Sequence, residues 1–310
     1  MIESFGGSTL IFSIVVTFNP DIDRLRQVLN ALAPQVEQIQ IVDNNSKNID
    51  LIYELTSTIR NIFILPLNDN QGIASALNRG IELALKSNHC TEVLLMDQDS
   101  IPKESMVSDL LKGLCIASSN DTKVAAIGPR FIDRYTGTLS QHVIFRGWHF
   151  SRVPCPRSKM PIKVDFIITS GSLIPVRALA SIGLFDENLF IDHVDTEWAL
   201  RAKALGYQIY GDCMALMEHD LGENRRRIWL GHWRNVPIHK PFRYYYIYRN
   251  SLNLLLKPST PMTWKRADLI RLIEIFIFTL IFNSERKEIL VMIFLGLRDG
   301  LKKIYGRRKK

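Results

Sequence analysis

Short apolar runs alternate with amphipathic segments through the first 130 residues. Five runs have the length and the apolar content of buried strands, at residues 11–18, 39–43, 62–65, 93–96 and 124–127. Between the third and the fourth run, apolar residues recur every four positions from Ile73 to Leu85, the spacing of an amphipathic helix. Strands that alternate with helices predict an α/β fold with a mostly parallel, doubly wound sheet.

The second half of the chain has a less regular pattern. It weakens from about residue 131 to 161, which predicts a loop-rich excursion. A helix is expected at about 195–205, with Gly206 as its cap. Further on, the composition turns aromatic and basic, and apolar helical segments follow. We therefore expect a sheet-based domain at 1–228 and a helical C-terminal extension at 229–310.

Polar residues stand where the predicted strands end. They are Asn19, Asp43, Asn68 and Asp97. In a doubly wound sheet, ligands bind in the crevice beyond the carboxyl ends of the strands. We therefore expect these side chains to face one crevice.

The fourth strand runs directly into Asp97-Gln98-Asp99. Two acids separated by one residue point the same way on an extended chain, and carboxylate oxygens are good ligands for Mg²⁺ or Mn²⁺. Such an ion would neutralise the charge that develops on a diphosphate leaving group. A solvated turn after a strand has the same composition, so this motif alone leaves both interpretations open.

The net charge of +8 is concentrated in part at the C-terminus, where residues 302–310 carry six cations and no acid. No nucleic-acid-binding motif accompanies this charge, which favours an anionic membrane surface as partner over nucleic acid. Apolar residues from Leu269 to Leu280 keep helical spacing beside cations, as in interfacial helices. The alternative is that these helices pack on the catalytic domain or on a second copy, as in a homo-oligomer. No apolar run approaches the ~20 residues of a spanning helix.

The cysteines and the N-terminus predict a cytoplasmic protein. Cys90, Cys115, Cys155 and Cys213 are far apart and form no CxxC pair, so neither a disulfide nor a zinc site is expected. The N-terminus has no signal-peptide pattern. The sequence also lacks the phosphate-binding GxxxxGK[ST], the dinucleotide-binding GxGxxG, and the hydrolase motifs GxSxG and HExxH.

Several short motifs, read in order, resemble glycosyltransferase family 2 with its GT-A fold, and within it the bacterial rhamnosyltransferase branch. They lie at 16–20, 42–46, 70–80, 95–100, 169–172 and 192–207. The resemblance covers roughly residues 10–255. It implies that 1–228 is the catalytic domain and that the cofactor is Mg²⁺ or Mn²⁺.

The resemblance implies a nucleotide-sugar site. Asn19 and Asp43 lie where the family holds the base and the ribose, and Asp97 lies near the ribose and phosphates. Asn70 and Gly72 precede the helix from Ile73, whose free backbone N–H groups would favour the diphosphate.

Two residues are implied to bind the metal. Asp99 resembles the acid that contacts the ion directly, and His219 occupies the place of a further ligand in some family members. Histidine suits Mn²⁺ better than Mg²⁺. The alternative for His219 is an ordinary histidine in a polar loop.

Asp195 is the implied general base, six residues before Arg201. Its alternative role is a helix N-cap. Many family members carry Glu-Asp where this chain has Val194-Asp195, which leaves Asp192 and Glu197 as rival bases. Glu197 is also spaced to pair with Arg201 along a helix.

Three further residues are candidates for contact with a sugar or a phosphate. Ser170 and Gly171 would allow the backbone to approach the sugar, or would simply form a tight turn. Arg249 would approach a phosphate of donor or acceptor, or would lie on the surface. Trp198, at a helical position, is expected in the core.

The resemblance implies an inverting enzyme that transfers L-rhamnose from dTDP-L-rhamnose to a lipid-linked glycan in bacterial surface polysaccharide synthesis. It would work at the inner face of the cytoplasmic membrane as a peripheral protein. Two alternatives remain: another donor such as a UDP-hexose, or a non-catalytic member that binds nucleotide sugar within a membrane assembly complex.

Overall fold

The computed structural model describes residues 9–87, 89–219, 225–229 and 233–308, without the side chains of 225–229 and 233–237. Strands and helices alternate in the first part of the chain: β1 Ile11–Thr17, α1 Ile22–Leu32, β2 Gln38–Asp43, α2 Ile49–Thr56, β3 Ile62–Pro66, α3 Ile73–Lys86 and β4 Glu92–Asp97. The first four predicted strands are confirmed to within one residue at each end.

The middle of the chain has shorter strands: β5 Ile101–Pro102, α4 Met106–Asn120, β6 Val124–Asp133, β7 His142–Arg146, β8 His149–Val153, β9 Ile162–Val164, β10 Leu173–Pro175, α5 Val176–Ile182, α6 Val194–Ala204, β11 Gln208–His219, β12 Arg225–Trp229 and β13 Trp233–Pro237. Three helices complete the described chain: α7 Pro241–Leu256, α8 Met262–Phe282 and α9 Arg286–Leu301.

One large mixed sheet has the strand order β3-β2-β1-β4-β10-β6-β11-β5, with β9 added on β11. Strands β1 to β4 pair in parallel, and antiparallel pairing begins where β10 inserts between β4 and β6. The α/β class with a helical C-terminal extension is confirmed. Because β1, β2 and β4 run in parallel, their carboxyl ends lie at one edge of the sheet.

Helices cover both faces of this sheet, as a doubly wound fold requires. Neighbouring residues of β1 point to opposite faces: Ile14 joins the core beneath α3, α5 and α6, and Val15 joins the core beneath α1, α2 and α4. Both side chains are fully buried, which explains why the strand reads as a continuous apolar run. Trp198 of α6 lies in the first core, as expected.

The excursion after residue 131 contains more regular structure than the sequence pattern indicated. Strand β6 extends to Asp133, and β7 and β8 form an antiparallel hairpin. Cys155, just beyond this hairpin, forms a disulfide with Cys213 of β11, with Cα atoms 5.7 Å apart. The prediction that no disulfide forms is therefore wrong. Sequence spacing cannot show that a hairpin carries one cysteine back to a strand 58 positions away.

Arg249 of α7 fastens the helical extension to the sheet domain. It is fully buried and donates hydrogen bonds to the backbone carbonyls of Asn188, Leu189 and Gly306. Its guanidinium also lies 4.9 Å from the ring centroid of Tyr246. A guanidinium without exposed surface cannot contact a phosphate, so that prediction for Arg249 is corrected to a structural role.

Helix α8 presents an apolar face to solvent. Leu269, Ile273, Ile277 and Leu280 are each at least 40% exposed, whereas Ile270 turns toward a cavity. Among the residues that the structure describes, no helix combines the length and the apolar content needed to cross a membrane.

Part of the basic tail folds back on the protein. The backbone N–H of Arg308 donates to Tyr246 Oη at 2.9 Å, and the Arg307 guanidinium donates to the carbonyl of Asn70 at 3.4 Å. Lys309 and Lys310 lie outside the described residues. The composition alone indicated that the whole tail could meet a membrane. The structure shows that part of it is bound to the protein instead.

Candidate active site

Asp97, Asp99 and His219 converge at the edge where the parallel strands end. Asp97 closes β4, Asp99 lies in the following turn, and His219 is the last residue of β11. Strand β11 pairs with β5 through Glu218 and Ile101, and this pairing carries His219 back to the turn. One ligand atom from each of the three side chains lies within 4.8 Å of the other two. The structure thus brings the two predicted metal ligands, Asp99 and His219, together with Asp97.

The electrostatics of this cluster fit a cation. Burial, together with the carboxylates of Asp99 and Asp195, raises the pKa of Asp97 to about 7. Negative groups that repel one another in a half-buried site are stabilised when a positive ion lies between them. Two carboxylates and one imidazole suit Mg²⁺ or Mn²⁺, and the imidazole favours Mn²⁺.

Contacts that the sequence did not reveal orient the ligands. Ser100 Oγ lies 2.8 Å from Nδ1 of His219, and the Phe131 ring packs edge-on against the same imidazole at 5.4 Å. Arg24 Nε donates to the backbone carbonyl of Asp99 at 2.8 Å. These contacts fix the turn and the ring from outside the ligand set.

Asn19 and Asp43 lie side by side at the ends of β1 and β2. Asp43 is buried, and it accepts hydrogen bonds from Thr17 Oγ1 and the Ser46 N–H, each at 2.8 Å. Asn19 has a positive φ of 46° and accepts the Lys47 N–H at 2.8 Å. Both residues therefore order the loop after β2. Their contact with a nucleotide stays a prediction.

Asn70 and Gly72 build the entry to α3. The Asn44 amide donates to Asn70 Oδ1 at 3.2 Å and to the Gly72 carbonyl at 3.3 Å. The first amide of the helix, that of Ile73, donates to the carbonyl of Phe190 at 2.8 Å. A Cβ on Gly72 would lie 2.5 Å from the same carbonyl oxygen. The Ile73 N–H is therefore engaged by Phe190 and is not free for an anion, and contact of Asn70 and Gly72 with the diphosphate stays a prediction.

Ser170 and Gly171 form a tight turn against β4. Ser170 Oγ accepts the backbone N–H of Asp97 at 3.1 Å, and the Gly171 N–H donates to the Leu95 carbonyl at 2.7 Å. Gly171 has a φ of 81°, and a Cβ there would lie 2.4 Å from Pro129 Cγ. The structure thus gives this turn the task of positioning the metal motif.

Asp195 lies near the metal cluster. It is the second residue of α6, and His193 is the N-cap, so the cap interpretation of Asp195 is wrong. Its carboxylate accepts the Thr196 N–H at 2.7 Å. Burial raises the pKa of Asp195, and its charge in turn raises that of Asp97. An acid with a raised pKa is a stronger base once it is ionised.

The two rival bases are engaged in ion pairs. Asp192 pairs with Arg243 of α7. Glu197 is buried and pairs with Arg201 at 3.0 Å, as predicted, and also with Lys257 at 2.8 Å. Although burial opposes it, the hydrogen bonds from these cations lower the pKa of Glu197. A carboxylate held in this way is a weak proton acceptor.

Arg201 and Trp198 connect α6 to the loop that precedes it. Arg201 donates to the carbonyls of Ile182 at 2.6 Å and Leu184 at 2.7 Å, and Trp198 Nε1 donates to that of Gly183 at 2.9 Å. Both side chains hold the loop between α5 and α6. The hydrogen bonds of Arg201 therefore give it a structural role, and its contact with an acceptor stays a prediction.

A cavity of about 690 Å³ adjoins the start of α6. Its walls come from the β7–β8 hairpin, from α8, and from the residues that flank Asp195. These lining residues include His149, Phe150, Arg152, Asp192, His193 and Thr196. Burial lowers the pKa of His193 to about 4, so its ring is neutral at pH 7. The sequence pattern did not predict this cavity, because its walls come from several distant stretches, which also include Phe166, His239 and Ile247.

Comparison with known proteins identifies the family. Residues 13–180 match the sequence profile of glycosyl transferase family 2, which is more than half of the chain. The chain belongs to this family. Over 299 residues this glycosyltransferase is also 29% identical to the dTDP-rhamnosyl transferase RfbF of Shigella flexneri, covering 96% of this chain and 97% of that protein.

Solved structures share the fold of this family 2 glycosyltransferase. S. aureus TarS 1-349 in complex with UDP-GlcNAc is 16% identical with a TM-score of 0.56, covering 96% of this chain and 82% of that one. GalNAc-T7 with UDP, GalNAc and Mn²⁺ is 13% identical with a TM-score of 0.56, and covers 86% of this chain. This chain spans about half, 54%, of the GalNAc-T7 chain. The predicted GT-A type fold is confirmed.

We predict that Asp97→Asn stabilises the metal-free glycosyltransferase. The folded-state pKa of Asp97, about 7, lies above the ordinary value of 3.8, so the folded protein loses stability as pH rises from about 4 through 7. The asparagine amide does not ionise, so the variant does not lose this stability as the pH rises. In EDTA at pH 8, Tm should rise by roughly 2–8 °C, corresponding to about 1–4 kcal/mol, and the gain should shrink at pH 5.

The matched control for this experiment is Glu54→Gln, which neutralises an exposed acid on α2. Its Tm should stay close to that of the unmodified protein at both pH values. A fall in Tm for Asp97→Asn at pH 8 would contradict the destabilising burial of a charged Asp97 that we describe.

Proposed function

We propose that this chain is an inverting rhamnosyltransferase that uses dTDP-L-rhamnose as donor. The observation that carries the catalytic part is the convergence of the Asp97, Asp99 and His219 cluster with Asp195, whose charge acts on Asp97. The choice of sugar is supported by the likeness to RfbF, which is named a dTDP-rhamnosyl transferase. Such a transfer requires two acidic groups. One holds the metal ion at the diphosphate, and the other takes the proton of the acceptor alcohol.

The donor would lie along the ends of β1, β2 and β4. The base and ribose would meet the loops that Asn19 and Asp43 order, and Asn70 and Gly72 would border the phosphates. Asp97, Asp99 and His219 would hold Mg²⁺ or Mn²⁺. When bound there, the ion supplies positive charge to the departing diphosphate. The presence of Mn²⁺ and UDP in the GalNAc-T7 structure supports this assignment.

Asp195 would act as the general base. Its carboxylate takes the proton of the acceptor hydroxyl while that oxygen bonds to the anomeric carbon, and the bond from this carbon to the diphosphate breaks on the opposite face. The configuration is inverted, and no covalent enzyme intermediate forms. Thr196 holds the carboxylate in place through its N–H and, at 3.3 Å, its hydroxyl.

The acceptor would enter the cavity between the β7–β8 hairpin and α8. This cavity is bordered by Asp192, His193 and Thr196, which flank the proposed base on the chain. It offers an aromatic ring at Phe150, on which a sugar can pack, and a cation at Arg152 for an anionic group. A glycan linked to lipid through phosphate contains both a sugar ring and an anionic group that these two residues could bind.

The exposed apolar face of α8 would meet the membrane. Its residues, from Leu269 to Leu280, lie on the turns of α8 that also supply Ile270, Arg271 and Glu274 to the cavity wall. A lipid-linked acceptor could therefore present its glycan to the cavity while its lipid stays in the bilayer. We propose a peripheral location at the inner face of the cytoplasmic membrane.

The function is tested with a donor panel. Purified protein, Mn²⁺ and a membrane lipid extract are incubated with dTDP-L-rhamnose, UDP-glucose, UDP-galactose or UDP-GlcNAc, and the release of each nucleoside diphosphate is measured. Lipid-dependent release from dTDP-L-rhamnose should exceed that from each UDP-sugar by at least roughly tenfold. Preference for a UDP-sugar would support glycosyltransferase activity but would reject L-rhamnose as the donor sugar. Binding of donor without turnover would favour the non-catalytic alternative.

Substitutions at the two acidic groups should separate their tasks. We expect Asp195→Asn to lower kcat by roughly 10²–10⁴-fold, because the hydroxyl loses its proton acceptor, while Mn²⁺ binding is retained. Asp99→Asn should lower both activity and Mn²⁺ affinity. Steady-state kinetics and calorimetric titration with Mn²⁺ measure these effects, with Glu54→Gln as the control. Unchanged turnover in both variants would eliminate the mechanism.

Arg152→Ala should weaken acceptor binding. Loss of a charged hydrogen bond costs about 1.5–3 kcal/mol, so the acceptor KM should rise roughly 10–150-fold while the donor KM stays the same. Arg157→Ala, an exposed arginine beyond the cavity lining, serves as the matched control. An equal rise in both variants would show a general charge effect, and no rise would remove Arg152 from the acceptor site.

Substitution of apolar residues on the α8 face by acidic ones should weaken binding of the protein to membranes. We expect Ile273→Glu with Ile277→Glu to reduce co-sedimentation with vesicles that contain phosphatidylglycerol, because charge on this face resists burial among lipids. Leu51→Glu, at a similarly exposed leucine on α2, should not. If the double variant still binds vesicles but changes from a dimer to a monomer, the α8 face would instead be a contact with a second copy of this chain.

A further inference from the structure

A second group of potential metal ligands lies outside the candidate active site. It consists of His142 on β7, Cys155 beyond β8 and Cys213 on β11, and one ligand atom of each lies within 4.8 Å of the others. His142 and Cys213 are buried, and Cys155 is half-buried. None of these residues contributes to the mechanism proposed above.

The fold places the three side chains together through two local features. His142 pairs with Val153 across the β7–β8 hairpin, so Cys155 follows two residues after the partner of His142. The pairing of β11 with β6 shifts register between Gly211 and Leu216, which forms a bulge that contains Cys213. The Asp212 carboxylate holds this bulge by accepting the N–H groups of Met214 and Ala215, each at 2.7 Å.

The imidazole of His142 is oriented like that of a metal ligand. Its Nε2 lies 2.9 Å from the Asp212 carbonyl oxygen, to which it donates, and this leaves the lone pair on Nδ1. A hydrogen bond from the far ring nitrogen to a carbonyl is the usual outer contact of zinc-bound histidine. A Cβ on Gly211 would lie 2.4 Å from this ring, so glycine makes room for it.

We propose that the reduced thiols of Cys155 and Cys213, together with His142 Nδ1, bind one Zn²⁺ ion. A dithiol reductant cleaves the S–S bond, becomes a disulfide itself and leaves two thiols on the protein. On binding, the thiols release two protons and the thiolates donate to the metal. Three protein ligands leave a fourth tetrahedral position for water.

The backbone geometry is compatible with both states. The Cα atoms of the two cysteines are 5.7 Å apart. In a tetrahedral site with Zn–S distances of about 2.3 Å, the sulfurs lie about 3.8 Å apart, which rotation about the Cα–Cβ bonds can provide. The strands need not separate.

The ligand chemistry selects zinc at this position. Thiolates and imidazole prefer Zn²⁺, whereas the carboxylates of Asp97 and Asp99 prefer Mg²⁺ or Mn²⁺. Disulfides are rare in reducing compartments, where a cysteine pair beside a histidine is more often a metal site. The reduced protein would therefore hold two different ions at two separate places.

Zinc at this position would preserve a connection that matters for the cavity. The β7–β8 hairpin supplies Phe150 and Arg152 to the cavity wall, and β11 ends at His219 of the metal cluster. The disulfide ties the hairpin to β11 in the oxidised protein. The zinc site does so in the reduced protein.

The test uses the full-length protein after reduction with a phosphine, which becomes a phosphine oxide and binds metal weakly. Titration with Co²⁺, a spectroscopic substitute for Zn²⁺, should produce thiolate-to-cobalt charge-transfer absorption in the near ultraviolet. Elemental analysis after Zn²⁺ loading and gel filtration should find about one more Zn²⁺ per chain in the reduced protein than in the oxidised protein, because the Asp97, Asp99 and His219 cluster can take Zn²⁺ in both states. The oxidised protein should show no thiolate-to-cobalt absorption.

Variants identify the ligands. Cys155→Ser and Cys213→Ser should abolish the thiolate absorption of a two-sulfur site, and His142→Gln should weaken Co²⁺ affinity at least roughly tenfold. Cys115→Ser, which removes an exposed free thiol, and Asp99→Asn should leave the absorption intact. Cys155 is half-buried, so Cys155→Ser keeps the test valid if Cys213→Ser fails to fold.

Two results would overturn the proposal. One is a reduced, folded protein that gives no thiolate–cobalt absorption. The other is a native disulfide that resists the phosphine until the protein unfolds, which would make the crosslink permanent.

Discussion

The burial of Asp97 at the end of β4, beside the carboxylates of Asp99 and Asp195, is the constraint on which the proposed site depends. Asp97 is flanked by Asp99 and reached by the charge of Asp195, in a place where water is scarce. Such an arrangement is unfavourable in an empty protein and becomes favourable when a cation and a substrate arrive. The fold tolerates it because hydrogen bonds with Ser170 and Arg24 hold the backbone of Asp97 and Asp99 in place.

Those supporting contacts explain why the neighbouring polar residues are buried. The side chains of the buried residues Asp43, Asn44 and Ser170, and of the half-buried Asn70, form hydrogen bonds with backbone groups of nearby loops or with each other. Loops that carry function need such internal hydrogen bonds, since they have little apolar core of their own. The proposed site therefore consists of a few acids and a histidine that would contact the ligand, and a larger set of residues that hold the loops in place.

The sequence predicted the elements whose signals are local. Continuous apolar runs located β1 to β4, and the position of Asp97 after such a run located the metal motif. It could not show that Phe190 covers the start of α3, that Arg249 is buried, or that Cys155 meets Cys213, because each depends on packing between distant stretches. His219 is an example: the pairing of β11 with β5 and β6 brings it to Asp97, and the sequence does not show this pairing.

Arg249 links the C-terminal tail to the loop before α6. It donates at once to Gly306 near the end of the chain and to Asn188 and Leu189, and Asn250 beside it donates to the carbonyls of Leu189, Ile191 and Asp192. The same loop leads within a few residues to Asp195. In the proposed mechanism, a force that pulls the tail toward a lipid surface would thus reach the segment that carries the proposed proton acceptor, and attachment to the bilayer would be mechanically coupled to sugar transfer.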